Sequence, residues 1–201
     1  SMGALHWVPE WERSSYQVPS GHQALYLDPG MAFGTGLHET TRLCLNALVS
    51  FVEKRDPSGK ACIDAGCGSG ILALSAHLSG FGEVMGFDID PDAVRIAREN
   101  AQANGLEEAT TFATCGFDKG LLPNSGDLIL ANLQADLLQD NARLLLLAIR
   151  PRGTLALSGI LGEELKSTAT VFLEQSQDMK LEISTNSQND GEWSLLKLRR
   201  K

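Results

Sequence analysis

Three glycines stand in the run Ile63-Asp64-Ala65-Gly66-Cys67-Gly68-Ser69-Gly70, and a carboxylate, Asp88, follows in Gly86-Phe87-Asp88-Ile89-Asp90. Residues of these types at this spacing can hold an adenosine. Glycines let the backbone turn tightly and let a ligand come close to it, where a Cβ would obstruct. Asp88 falls near the interval of about 20 residues after the first glycine at which an acid closing a second strand accepts hydrogen bonds from both ribose hydroxyls. The chemistry therefore demands a strand ending at Asp64, a helix opening after Gly70, and a second strand ending at Asp88.

A nicotinamide or flavin site shares that layout but not the glycine spacing. In GxGxxG the third glycine would fall on Ile71. Here the glycines run GxGxG, with Asp64 two residues ahead of the first of them. This variant is similar to that of S-adenosylmethionine methyltransferases, whose ligand has no pyrophosphate to set on a helix N-terminus. A structural glycine turn with no ligand would not require the two acids.

The elements that must position these groups are legible along the chain. Strands are expected over about 60–64, 83–88, 110–114 and 127–132, with helices opening after Gly70 and at Pro91. Asn104 and Gly105 are a helix-stop pair. The run 127–132 is continuously apolar between Asp127 and Asn132, as suits a strand buried on both faces of a parallel sheet. One helix is expected from there to about Ile149, a strand over 154–158 after Pro151, and a helix over about 162–175. Two closing runs, 179–185 and 193–198, flank Asn189, Asp190 and Gly191 and are expected to form an antiparallel hairpin. Together they predict an α/β fold, a Rossmann-like, mostly parallel seven-stranded sheet closed by that hairpin. Residues 1–26 show no sustained periodicity and are expected to be an irregular N-terminal extension or linker that docks by aromatics such as Trp7 and Trp11, with the main domain over 27–201.

Composition narrows the class. With 201 residues, 43% of them hydrophobic, the chain can bury a full core. Acids outnumber bases, 25 against 17, for a net charge of −8. That balance gives no general attraction to nucleic acid and suits a basic protein partner. Cys44, Cys62, Cys67 and Cys115 lack paired CxxC spacing and are expected to be reduced thiols in the cytoplasm. His6, His22, His38 and His77 form no metal-binding pattern, so no metal is expected. The longest apolar stretch, near Leu144 to Ile149, is far shorter than a membrane span.

Five longer segments carry a more specific likeness. LDPGMAFGTGLHETTRLCL, IDAGCGSGILALSA, GFDIDPDAVRIARENAQANG, DLILANL and LSGIL resemble the ribosomal protein L11 methyltransferase family, PrmA, from about Val8 onward. The AFGTGLHETT loop is its most specific part. The resemblance implies a class I methyltransferase that moves methyl groups from S-adenosylmethionine to lysine or N-terminal amines of ribosomal protein L11. It implies that Thr41, Gly66, Asp88 and Asn132 contact the cofactor, with Gly68 and Ile89 close beside them and Phe33 and Gly116 as weaker candidates. Two departures stand out. The family's N-terminal recruiting domain is not in these residues, so either the chain is truncated or it is a single-domain relative. The family's NILAxPL segment reads here Asn132-Leu133-Gln134-Ala135-Asp136-Leu137, which changes the wall beside the methyl group.

Several residues have two readings. Asn132 is a cofactor contact or a cap for the next helix, and Thr41 is a contact, a helix N-cap, or both. Asp64 either orients the glycine loop or approaches the ligand's amino group. His38 lies in the loop expected to cover the site and is not taken as a base. For the reaction, a lysine of pKa about 10.4 must first lose a proton, costing about 4.6 kcal/mol at pH 7, against about 1 kcal/mol for an α-amine. No general base is identifiable, and the catalytic residues remain unassigned. Two other functions fit the same motifs: a single-domain enzyme acting on another protein or a small molecule, and a cofactor-binding module inactive without a recruiting domain.

Overall fold

Alternate residues along the central strands face opposite helical layers, which explains why those strands read as unbroken apolar runs. Cys62, Leu128, Leu130 and Ala156 join one core cluster; Ile63, Ile129, Ala131, Leu155 and Leu157 join the other. Both faces are covered, so neither side of the pleat can be polar without cost. The computed structural model describes residues 4–27 and 38–201.

In chain order the elements are β1 (Leu5–Pro9), β2 (Gln23–Leu27), α1 (Glu39–Val52), β3 (Ala61–Ala65), α2 (Ile71–Leu78), β4 (Glu83–Asp88), α3 (Pro91–Ala103), β5 (Thr111–Thr114), α4 (Phe117–Gly120), β6 (Gly126–Asn132), α5 (Ala135–Asp140), α6 (Ala142–Ala148), β7 (Ile149–Leu161), α7 (Leu165–Asp178), β8 (Ile183–Asp190) and β9 (Trp193–Arg200). The main sheet has seven strands in the order β5-β4-β3-β6-β7-β9-β8. β3 to β7 run parallel, while β9 is antiparallel to both β7 and β8. Helices α1, α2 and α3 cover one face; α5, α6 and α7 cover the other. The expected α/β class and closing hairpin are both present.

Some boundaries differ from expectation, each for a local reason. The single helix expected before Ile149 is two, parted at Asn141, whose backbone leaves the helical region and whose Nδ2 donates to the Leu137 carbonyl at 2.9 Å. β7 is longer than 154–158 because it begins ahead of Pro151. Its register against β6 shifts between the Gly126 and Leu128 pairings, with Arg152 at φ 65, so proline sits in an irregular stretch where no ladder N–H is needed. Residues 179–182 close α7 rather than starting a strand: Lys180 takes φ 55 and the Leu181 N–H returns to the Ser176 carbonyl at 2.8 Å. The hairpin turn falls on Gly191 and Glu192, leaving Asn189 and Asp190 in β8.

The N-terminal segment is more regular than its sequence pattern. β1 and β2 pair in parallel. Leu25 and Leu27 enter the core beneath α1, α2 and α3. Of the two tryptophans expected to dock, Trp7 does, its Nε1 donating to Ser75 Oγ at 2.8 Å, whereas Trp11, on the short 3-10 turn after β1, is 68% exposed. Asn104 clamps both main-chain groups of Tyr26, at 2.8 and 2.7 Å, and Arg13 stacks over the Tyr26 ring.

Candidate functional site

The sheet order reverses at β3, whose neighbours β4 and β6 carry connections to opposite sides, so a crevice opens at the carboxyl ends of these strands. The glycine turn fills its floor. Gly66 and Cys67 N–H groups both donate to the Phe87 carbonyl, at 2.8 and 2.9 Å, and Gly68 N–H donates to Asp88 Oδ2 at 3.0 Å. Asp88 Oδ1 accepts from Asp90 N–H at 3.0 Å. Each carboxylate oxygen thus has one backbone donor, which fixes the group and leaves further lone pairs for outside donors.

Opposite, Asn132 ends β6 and its Nδ2 donates to Thr41 Oγ1 at 3.3 Å, joining the sheet to the first turn of α1. Capping accounts for neither residue. His38 is the N-cap of α1, its Nδ1 accepting from Thr40 N–H at 3.4 Å, and α5 begins only after Gln134. Leu133 extends the ladder, donating to the Ser158 carbonyl at 3.0 Å. Two glycines make room for it. A Cβ on Gly66 would lie 2.6 Å from a Leu133 methyl, and one on Gly159 would lie 2.4 Å from the Leu133 carbonyl oxygen.

A cavity of about 370 Å³ results, within the range of small-molecule sites. Thr41, Gly66, Gly68, Asp88 and Asn132 all line it. Ile89 stands just outside the lining and is 80% exposed. Gly116 is the N-cap of α4 and also lies outside the lining. Phe33 and most of the AFGTGLHETT loop fall outside the described residues. Leu133 and Gln134, from the segment expected to wall the site, line it too, whereas sequence reasoning missed Gly159 and Trp193. Trp193 reaches the site because β9 is antiparallel, so its first residue lies at the edge where the parallel strands end. Its ring meets His38 edge-on at 5.4 Å, and Arg42 Nη2 pairs with Asp190 Oδ2 at 2.8 Å, tying the hairpin to α1. No local motif around residue 193 signals this; the antiparallel topology does.

Asp64 is fully buried beneath the glycine loop and outside the cavity lining. Its Oδ2 accepts from Ala73 N–H at 3.0 Å, satisfying an otherwise orphaned donor in the first turn of α2. That position suits the first of its two readings, orientation of the loop and helix. Burial raises its pKa to about 7, against the lowering effect of the Ala73 bond and with a further push from Asp88. Cys67 also lines the cavity, but burial, with Asp64 and Asp88 nearby, raises its pKa and keeps it a neutral thiol. Among the described residues no group of His, Cys, Asp and Glu side chains could hold a metal ion.

The model of the ribosomal protein L11 methyltransferase (PrmA) family matches residues 2–201. A ribosomal protein L11 methyltransferase of Deinococcus radiodurans is 38% identical over 203 aligned residues, covering 98% of this chain and 72% of that protein. One from Dechloromonas aromatica is 42% identical over 166, covering 78% of this chain. This chain spans about half the length of the second, 52%. A solved ribosomal protein L11 methylase from Lactobacillus delbrueckii subsp. bulgaricus superposes with a TM-score of 0.82 at 32% identity, covering 98% of this chain and 95% of that one. With its glycine turn, paired acid and strand-end asparagine set around one cavity, the chain belongs to the ribosomal protein L11 methyltransferase family.

Proposed function

We propose that this chain binds S-adenosylmethionine and transfers its methyl group to amine nitrogens, lysine side chains or an N-terminal amine, of ribosomal protein L11. The observation that carries the reading is the convergence of Thr41, Gly66, Gly68, Asp88 and Asn132 on one cavity in a chain of this family. The residues fit the cofactor. Asp88 is fixed with lone pairs to spare for two ribose hydroxyls, the Gly66 and Gly68 turn admits a ligand close to the backbone, and Ile89 offers an apolar surface beside Asp88. When bound, S-adenosylmethionine supplies a methyl group activated by its sulfonium.

The protein's part is placement. Asn132, its amide nitrogen engaged by Thr41, turns its amide oxygen to an incoming amine, while Leu133 and Trp193 wall the cavity and exclude water. Cys67 stays protonated and takes no proton from the substrate. In this reading residues 27–201 form the methyl-transfer domain and residues 1–26 an N-terminal extension, whose described part docks on α2 and α3. The net charge of −8 suits a basic protein substrate. The four cysteines are free thiols, consistent with a cytoplasmic protein, and among the described residues no helix is long and apolar enough to cross a membrane.

The reading is tested by incubating the protein with S-adenosylmethionine and ribosomal protein L11 and measuring the mass of the latter. Additions of 14 Da per methyl group, about the mass of one CH₂, are expected on amines; an unmodified substrate at high protein concentration contradicts the proposal. Calorimetry is expected to show S-adenosylhomocysteine binding with no competition from NADH. Asp88→Ala is expected to weaken that binding by about 1.5–3 kcal/mol, the scale of charge-assisted hydrogen bonds. An unchanged affinity in a folded Asp88→Ala protein would place the ribose elsewhere.

A further inference from the structure

A second cavity, of about 320 Å³, lies at the other end of α1. Thr41 in the first turn of that 14-residue helix faces the cofactor cavity; Ser50 in its last turn, about 14 Å further along the helix, and Lys54 and Arg55 beyond it line the second one. Strand β9 also runs from one cavity to the other. Its alternate residues Trp193, Leu195, Lys197 and Arg199 share a face, with Leu195 in the core beneath α1, so Trp193 serves one cavity and Lys197 and Arg199 the other. β8 completes the wall, with Asn186 paired to Lys197 and Ser184 to Arg199.

Lys54, Arg55, Lys197 and Arg199 therefore line a single cavity, in a chain whose acids outnumber its bases 25 to 17. No ion pair among the described residues includes any of the four. Arg55 is held in place: Nη1 donates to the Arg152 carbonyl at 2.8 Å, and its guanidinium lies 4.9 Å from the Phe51 ring centroid. Its pKa is lowered, by burial first and then by the like charge of Arg199, which lines the same cavity. The one acid that offsets this, Asp127, is already engaged by Arg150, Lys60 and the Ala61 N–H. Carboxylates are plentiful elsewhere on the chain, yet none lines this cavity.

We propose that this cavity binds a small phosphorylated anion of nucleoside diphosphate size, with Arg55, Lys197 and Arg199 around its phosphates and Ser50 and Thr154 donating hydroxyls. Guanidinium forks match phosphate oxygens in pairs, and a rim of Ser and Thr supplies the neutral donors such sites use. The cavity holds about one nucleotide, and the overall negative charge repels a long polyanion, so the occupant is a small molecule rather than a nucleic acid.

The test is calorimetry with inorganic pyrophosphate and with ADP, run with S-adenosylhomocysteine in excess so that adenosine binding in the first cavity is blocked. Pyrophosphate has no nucleoside and reports on the second cavity whatever the first one binds. Both probes are expected to bind with dissociation constants on the order of 0.1–1 mM, and adenosine is not. The double variant Lys197→Ala/Arg199→Ala should lose about tenfold or more of that affinity, and Arg199→Lys should lose less. Both side chains leave the core, so the unfolding midpoint of each variant should stay near that of the parent. No pyrophosphate or ADP binding at millimolar concentration, or equal binding by parent and double variant, overturns the proposal. So does binding that appears only with single-stranded RNA of several nucleotides.

Discussion

Gly159→Ala is expected to destabilise the protein by about 3 kcal/mol and to damage the cofactor cavity at the same time. Gly159 takes φ +84, a conformation that costs a residue with a Cβ roughly 1–2 kcal/mol. The added carbon would also lie 2.4, 2.8 and 3.0 Å from the carbonyl oxygen, carbonyl carbon and nitrogen of Leu133. Those are main-chain atoms, bonded onward to Ser158, so no rotamer change relieves the clash and the end of the β6–β7 ladder must part. Leu133 and its neighbour Asn132 move with it, both of them cavity residues. Denaturant unfolding should show the loss, a fall in melting temperature of about 6–12 °C for a chain of this size, and S-adenosylhomocysteine affinity should drop together with it. Gly191→Ala is the control: φ is +60 there, but nothing lies within 4 Å of the added carbon, so only the conformational cost of about 1 kcal/mol is expected. Equal stability of the two variants would show that Leu133 yields freely.

The second large effect is a pH dependence. Asp64 keeps its proton in the folded protein up to a pKa of about 7, because burial disfavours the charge, whereas in the unfolded chain it ionises near 3.8. Between those values the native state binds the extra proton, so this group makes stability fall as pH rises, by about 4 kcal/mol in total. Well below pH 3.8 both states are protonated and the group contributes no slope. Asp64→Asn removes the titration while keeping an oxygen for the Ala73 N–H, but its amide hydrogens enter a place where Oδ1 has no partner among the described residues. The variant should therefore be less stable than the parent at pH 5, by about 1–2 kcal/mol, and recover or overtake it by pH 8.5. Urea unfolding at the two pH values reads the difference. Parallel curves would mean that Asp64 is ionised in the fold at both.

What the sequence disclosed follows from how local each signal is. The glycine turn, Asp88 and Asn132 sit at strand ends whose apolar runs and flanking helices are written within about 30 residues, and all of them meet at one cavity. Strand β4 and the start of α3 match their expected bounds because Asp90 caps the helix through the Asp92 N–H and Pro91 occupies its first position. The less legible parts depend on contacts between distant segments. β1 pairs with β2 across residues 10–22, and what anchors them is Trp7 on Ser75 and Asn104 on Tyr26, side-chain bonds that leave no periodic trace. Likewise Trp193 enters the site only because the last strand runs backwards, and Gly159 matters only because Leu133 lies against it.

The outer strand of the hairpin has a bearing on how the molecule behaves in a crowd. β8 ends the sheet with one side of its main chain unpaired, the kind of border onto which a foreign strand adds and from which fibrils grow. Its residues from Ser184 to Asp190 are Ser, Thr, Asn, Ser, Gln, Asn and Asp, polar on both faces of the pleat. An incoming strand would gain main-chain hydrogen bonds but bury almost no hydrocarbon against this border, so the apolar driving force for such growth is small. Among the described residues the rim strand, laid down just before the final one, thus gives a second chain main-chain partners but little apolar surface to hold it.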